Sequence, residues 1–127
     1  MMVLDASVLI AHLDPADAHH GPATSLLVDA APDGFLVHPI TLAEVLAGGV
    51  RIGKGAQMRA DLEAAGIGLV GRDDDEPLRL AELHVATGLR MPDCCVLDAA
   101  VSHGAGLASF DQALVVAARR LGVPTVP

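Results

Sequence analysis

Residues 89–111, LRMPDCCVLDAAVSHGAGLASFD, predict a helix, a short buried strand and the start of a second helix. Asp93 opens the first helical pattern, and apolar residues follow it at helical spacing. Asp111 opens the second helix, directly after the apolar strand predicted over residues 107–109. Two acids on the core-facing sides of helices that flank one strand suggest a functional site.

Each of these acids also has a purely structural explanation. Asp is favoured at helix N-termini, where its carboxylate accepts hydrogen bonds from free N–H groups and meets the positive end of the helix dipole. Asp93, after Pro92, and Asp111, two residues after Ser109, both fit this capping role. The rest of the chain must therefore decide between a cap and a site.

The composition is typical of one compact globular domain over residues 1–127. Hydrophobic residues make up 52% of the chain and charged residues 19%, which excludes a disordered protein. No apolar run reaches the roughly 20 residues that span a bilayer, and the N-terminus lacks a basic segment, so we expect neither a membrane anchor nor a signal peptide. The adjacent Cys94 and Cys95 cannot form an ordinary disulfide and have no partners at zinc spacing, which indicates core packing in a reducing cytoplasm.

The formal net charge of −8, from 16 acids and 8 bases, argues against a broad nucleic-acid-binding surface. An acidic chain can still act on nucleic acid if its acids hold a cation that meets the phosphate. With two Phe and no Tyr or Trp, base stacking is not the expected mode of recognition. The six histidines share no spacing that indicates a site, so we expect surface or core roles for them.

Short apolar strands alternate with helices along the whole chain. Strands are predicted over residues 2–4, 35–37, 67–70, 107–109 and 124–126, and helices over residues 6–13, 23–31, 41–47, 54–65 and 77–87, in addition to the two helices described above. Residues 14–22 are predicted to form a loop, and Gly48 and Gly49 to end the helix before them. This alternation predicts an α/β fold in which helices cover both faces of a parallel sheet.

Four acids are expected at the carboxyl ends of these strands, where ligands bind in such sheets. Asp5 ends the first strand, and Asp111 follows the fourth. Asp93 opens the helix that leads into the fourth strand, and Glu44 lies early in the helix after the second. Structural alternatives remain open for two of them, because Asp5 could cap the first helix and Glu44 could form a capping box with Thr41.

Clustered carboxylates repel one another unless a cation neutralises them. A site of oxygen ligands without Cys or His favours Mg²⁺ or Mn²⁺, and such ions can activate a water and stabilise charge on a phosphoryl oxygen. Ser7 and Ser109 stand where they could donate hydrogen bonds to a ligand carboxylate or water. The residues alone therefore predict metal-dependent phosphoryl chemistry.

Four segments resemble the motifs of the PIN-domain family, in that family's order and spacing. They are residues 3–10 (VLDASVLI), 41–45 (TLAEV), 91–97 (MPDCCVL) and 108–111 (ASFD). The chain length, and a loop with two histidines before a Leu-rich helix, resemble the toxin branch of the family, the VapC-like ribonucleases of type II toxin–antitoxin modules.

The resemblance implies a three-layer α/β/α sandwich with a mainly parallel five-stranded sheet. It implies that four residues bind Mg²⁺ or Mn²⁺ and carry the catalysis, namely Asp5, Glu44, Asp93 and Asp111, with Ser7 and Ser109 in support. It also implies an endoribonuclease that cuts single-stranded or structured RNA such as tRNA, a homodimer, and a cognate antitoxin as partner.

Asp98 departs from the family's pattern, in which a small residue is more common at this position. It lies five residues after Asp93, about 140° around the helix. We therefore expect a partly exposed or dimer-facing acid, with an indirect role at the site as the lesser alternative. Arg90 could contact RNA or balance the acids, or be an ordinary solvated loop residue.

Other folds that gather acids at strand ends lack their further residues here. A receiver domain needs a Lys late in the chain, but Lys54 is the only Lys. A haloacid-dehalogenase-type phosphatase needs an Asp where Ser7 stands, and no glycine-rich nucleotide-binding motif occurs. The remaining alternative is a catalytically silent PIN-like scaffold that binds RNA or protein.

Overall fold

Five parallel strands form one sheet in the computed structural model of the protein, which describes all residues from 1 to 127. The strands are β1 (Met2–Leu4), β2 (Phe35–Val37), β3 (Ile67–Leu69), β4 (Gly106–Ala108) and β5 (Thr125–Val126). Their order across the sheet is β3-β2-β1-β4-β5, and every neighbouring pair is parallel. The predicted parallel sheet is confirmed, and β1 lies at its centre.

Seven α-helices connect and cover the strands. They are α1 (Ala6–Leu13), α2 (His20–Ala30), α3 (Pro39–Arg51), α4 (Gly55–Ala64), α5 (Glu76–Thr87), α6 (Met91–His103) and α7 (Gln112–Arg120), with a short 3-10 turn at Ala31–Asp33. None of these helices combines the length and the apolar character needed to cross a membrane.

Two apolar cores lie on the two faces of the sheet. Successive residues of a strand point to opposite faces, so Val3 packs in one core and Leu4 in the other. The first core contains side chains from α5, α6 and α7, and the second contains side chains from α1, α2, α3 and α4. This arrangement confirms the three-layer sandwich.

Two predicted helices have other bounds in the structure. The helix expected to stop before Gly48 continues as α3 to Arg51, because neither Gly48 nor Gly49 adopts a positive φ. Gly49 instead allows close packing of α3 against α4, since a Cβ there would lie 3.1 Å from the Sδ of Met58. The helix expected from residue 23 begins as α2 at His20, and its proline falls in the first turn, where a missing N–H is tolerated.

Candidate active site

Asp5 is held at the carboxyl end of β1 by two serine hydroxyls. It occupies the backbone N-cap position of α1, yet its side chain accepts no capping hydrogen bond. Its Oδ2 instead accepts hydrogen bonds from Ser7 Oγ at 2.7 Å and from Ser109 Oγ at 2.8 Å. The carboxylate is 7% exposed, and the capping explanation is wrong for this residue.

The two serines join β1 to the segment that follows β4. Ser109 Oγ also accepts a hydrogen bond from the Asp111 N–H at 2.9 Å, and Ser7 Oγ accepts one from the Phe110 N–H at 3.1 Å. Each hydroxyl thus donates to Asp5 and accepts from a backbone amide, which fixes the direction of its proton. Both hydroxyls bind Oδ2, and the other oxygen of Asp5 accepts no hydrogen bond from the protein.

Asp111 does cap a helix, as its sequence position suggested. Its Oδ1 accepts a hydrogen bond from the Leu114 N–H at 3.2 Å at the start of α7. The side chain is half-buried, and its negative charge is one of the causes that raise the pKa of Asp93. A cap and a place in the site are therefore compatible at this position.

Asp93 lies in the first turn of α6 but is not its cap. The helix begins at Met91, with Arg90 at the N-cap position, and no side chain caps it. Burial raises the pKa of Asp93, and the charges of Asp111 and Asp5 raise it further. Arg90 acts in the opposite direction from 3.8 Å, but its side chain is 78% exposed, so water screens much of this attraction.

Glu44 lies in the second turn of α3 and is exposed. The capping box predicted with Thr41 is wrong, because α3 begins earlier, at Pro39, and His38 Nδ1 caps it by accepting from the Ile40 N–H. Withdrawal of water raises the pKa of Glu44, although much of the side chain stays exposed. The charges of Asp5 and Asp93 raise this pKa further, whereas Arg90 lowers it.

The structure therefore brings the four acids close enough for their charges to interact. The charges of Asp5 and Asp93 raise the pKa of Glu44, and those of Asp111 and Asp5 raise the pKa of Asp93. No three Asp, Glu, His or Cys side chains converge closely enough to hold a metal ion as they stand. The donor chemistry still fits a hard divalent cation, since the group contains only carboxylate and hydroxyl oxygens and has repulsion that a cation would relieve.

Asp98 is neither partly exposed nor free, which corrects the expectation from sequence. It is 5% exposed and accepts hydrogen bonds from Arg79 of α5, at 2.9 Å from Nε and 3.2 Å from Nη2. Residues 94–100 of α6 are all buried, so the side of this helix away from Asp93 faces α5 rather than solvent. Asp98 thus belongs to a structural ion pair that Asp73 extends.

A second buried polar group supports the start of α3. His38 is 1% exposed, and its Nε2 lies 3.2 Å from Glu76 Oε2. Since Nδ1 accepts the Ile40 N–H, the proton is on Nε2 and is donated to Glu76. Burial alone would raise the pKa of Glu76, but hydrogen bonds from Arg72 and His38 outweigh it and hold this pKa below its usual range.

Sequence reasoning missed an aromatic pair beside the acids. His19, in the loop between α1 and α2, stacks on Phe110 with ring centroids 4.4 Å apart and ring planes 17° apart. Phe110 stands between Ser109 and Asp111 in the chain, which was a signal for its place near the site. Nothing in the sequence indicated that the loop would fold over it. Cys94 and Cys95, by contrast, are free and buried in the core, as expected.

Comparison with known proteins identifies a family. A family model described as PIN domain matches residues 2–120. None of the curated proteins matches the sequence significantly.

Solved bacterial structures share the fold. The crystal structure of Mycobacterium tuberculosis VapC20, a Sarcin-Ricin loop cleaving toxin, has a TM-score of 0.77 at 18% identity and covers 92% of this chain and 95% of that one. A toxin–antitoxin complex from Klebsiella pneumoniae has a TM-score of 0.71 at 22% identity, with 87% of each chain covered. VapBC2 from Rickettsia felis, bound to a promoter DNA fragment, has a TM-score of 0.73 at 14% identity, with 98% of this chain and 96% of that one covered.

Proposed function

The chain belongs to the PIN-domain family, and on that premise we propose that it is a metal-dependent endoribonuclease, the toxin of a toxin–antitoxin module. The observation that carries the proposal is the environment of the Asp5 carboxylate, namely its hydrogen bonds and its charged neighbours. Two hydroxyls orient this buried carboxylate. Its charge raises the pKa of both Glu44 and Asp93, and the charge of Asp111 also raises that of Asp93. A cap or a structural ion pair would need no such cluster.

We expect Asp5, Glu44, Asp93 and Asp111 to hold Mg²⁺ or Mn²⁺. When bound, such an ion lowers the pKa of a water and withdraws negative charge from a phosphoryl oxygen. The protein's own part is to orient and to repel. The two serine hydroxyls fix the orientation of the Asp5 carboxylate and leave its other oxygen able to bind a cation, and the mutual repulsion of the carboxylates favours cations over other ligands.

Arg90 is the base nearest to the acids. Its guanidinium lies 3.8 Å from Asp93 and is largely in solvent, so it can move to an RNA phosphate without breaking a buried contact. Arg suits a local, bidentate phosphate contact. With a net charge of −8, the chain has few other cations for the RNA backbone, so recognition should depend on RNA shape, as in a structured RNA such as tRNA.

The toxin assignment rests on the solved neighbours. One is a Sarcin-Ricin loop cleaving toxin and another is a toxin–antitoxin complex. A groove of about 340 Å³ between α1, α2 and α4 offers a place for an antitoxin segment. Its apolar lining includes Leu13, Leu27, Val28 and Leu62, which suits the apolar side of an amphipathic helix. A homodimer in the cytoplasm remains part of the proposal.

The experiment is cleavage of RNA by the purified chain, freed of any antitoxin. We expect cleavage with Mg²⁺ or Mn²⁺, none with EDTA, and recovery when the ion is restored. The rival function is a silent scaffold that binds RNA or protein, and the absence of three converging ligands favours it. Binding of RNA without cleavage under any divalent ion would support the scaffold. Cleavage that persists in EDTA would contradict the metal.

A further inference from the structure

The His19–Phe110 pair is the aromatic surface nearest to the acids. The chain has two Phe, and the other, Phe35, is buried in the core with 8% exposure. Phe110 packs against the core on the α1–α4 side of the sheet, and its N–H is bound by Ser7. The ring of His19 stacks on this anchored ring, while 57% of its side chain remains exposed.

The loop that carries His19 is fastened at several points. The His19 N–H donates to Asp17 Oδ1 at 2.8 Å, and the Ala16 N–H donates to Asp14 Oδ1 at 2.9 Å. The neighbouring His20 holds the end of α1, with its Nδ1 2.9 Å from the Ala11 carbonyl oxygen. These hydrogen bonds hold the backbone around His19, and the stack on Phe110 positions its ring.

We propose that His19, backed by Phe110, stacks with one unpaired base of the RNA beside the scissile phosphate. This inference rests on the proposed ribonuclease function and names a contact of its substrate. Every base has a π face, so a ring stacked on a fixed aromatic ring can extend the stack by a base. Unpaired bases in RNA loops are accessible to such contacts. The contact adds affinity without charge, beside acids that repel the phosphates.

The substitutions separate stacking from the other roles of a histidine. His19→Phe keeps a ring and should bind RNA as the parent does. His19→Leu and His19→Gln lose the ring and should bind about tenfold more weakly, although Gln keeps a polar group. His103→Gln is the matched control. This exposed histidine is the last residue of α6 and precedes the start of β4, whereas the acids lie near the carboxyl ends of the strands.

Binding is measured with a labelled RNA stem-loop, whose stem fixes the register of its unpaired loop bases, and the non-cleaving Asp93→Asn chain in Mg²⁺. The RNA is scanned with single abasic nucleotides. At one position the missing base should weaken binding to Asp93→Asn about tenfold, yet have no further effect when His19→Leu is added. Thermal unfolding of each variant checks that the fold is kept.

The outcomes separate this inference from the proposed function. Coupling between the abasic position and His19 supports stacking, even if the parent chain cuts no RNA. RNA cleavage without any such coupling overturns stacking and leaves the ribonuclease intact. Equal binding by His19→Gln and His19→Phe, or no RNA binding by Asp93→Asn, also overturns it.

Discussion

Two acids of α6 should respond in opposite ways to the same chemical change. Asp93 and Asp98 lie five residues apart on one helix, and Asp→Asn removes the charge from either with little change of shape. Asp93→Asn should abolish RNA cleavage and leave the chain as stable as before or slightly more stable. Asp98→Asn should destabilise the fold and leave cleavage by the folded protein largely intact.

The cost at Asp98 follows from its hydrogen bonds. This buried carboxylate accepts two from Arg79, at 2.9 and 3.2 Å. An amide accepts one of them with its oxygen and turns its NH₂ group toward the guanidinium at the other. Losing one charge-assisted bond and weakening the second costs about 2 kcal/mol. With an unfolding entropy of about 2.1 cal/mol/K per residue, this lowers Tm by roughly 7 °C.

The expected change in stability has the opposite sign for Asp93→Asn. Its pKa is raised by burial and by the charges of Asp111 and Asp5, so ionisation of Asp93 destabilises the folded state relative to the unfolded one. That loss develops as the pH rises from the ordinary value of 3.8 through the raised pKa. Asn avoids the loss but gives up about 0.3–1 kcal/mol of interaction with the helix dipole. The net effect at pH 7 should be small and favourable.

The assay is thermal unfolding of both variants at pH 7 and below pH 3.8, with RNA cleavage at 25 °C, where each is folded. The advantage of Asp93→Asn should vanish at the lower pH. If Asp93→Asn unfolds as early as Asp98→Asn, Asp93 is a structural acid and the site assignment fails. If folded Asp98→Asn cuts no RNA, the ion pair with Arg79 is not merely structural.

Further expectations concern the serines, the substrate, the partner and the fold at low pH. Ser109→Ala should lose cleavage and about 2 kcal/mol of stability, because it removes a bond to Asp5 and one from a backbone amide. Ser25→Ala, at an exposed serine of α2 whose hydroxyl makes no hydrogen bond within the protein, should do neither in the same unfolding and cleavage assays. A tRNA should be cut at one or a few loop positions, whereas a uniform ladder on an unstructured RNA pool would refute shape recognition. Arg→Ala scanning of the antitoxin tail should relieve inhibition, since an Arg can reach the acids and replace a cation, and equal inhibition without any tail Arg would mean a steric block. The stability difference between the parent and Glu76→Gln should shrink in acid titrations as the pH falls from 4.5 through the lowered pKa of Glu76.

The sheet was predictable because its signals are local. Short apolar strands between helices indicated parallel pairing, and the rule for strand ends selected the four acids. The predicted length of α3 was wrong because tertiary packing sets where that helix ends. Gly48 and Gly49 were expected to break it, but α4 packs against that part of α3. The surroundings of Asp98 could not be predicted from its own helix. The angle from Asp93 gives the direction of the Asp98 side chain, but it does not show that α5 covers that side of α6.

Hydrogen-bond partners were the other unpredictable quantity. Asp5 and Asp111 both occupy N-cap positions, and only Asp111 uses its side chain as a cap. The difference arises because Ser109, directly after β4, donates a hydrogen bond to the Asp5 carboxylate, and Ser7 donates another. A contact between residues 104 positions apart in the chain leaves no trace in the local pattern.

The distribution of the bases gives the strongest argument for a cation from outside the chain. Arg79 and Arg72 form salt bridges with Asp73, Asp98 and Glu76, away from the four acids. Of all the salt bridges in the structure, only the one between Arg90 and Asp93 involves a site acid, and Arg90 is mostly in solvent. The fold thus pairs Asp73, Asp98 and Glu76 with arginines of the chain. It leaves most of the negative charge of the four site acids without a counterion. Such an arrangement costs stability, as the raised pKa values of Glu44 and Asp93 record. We expect a metal ion, or the Arg of an inhibitor, to bind among these acids and relieve their repulsion.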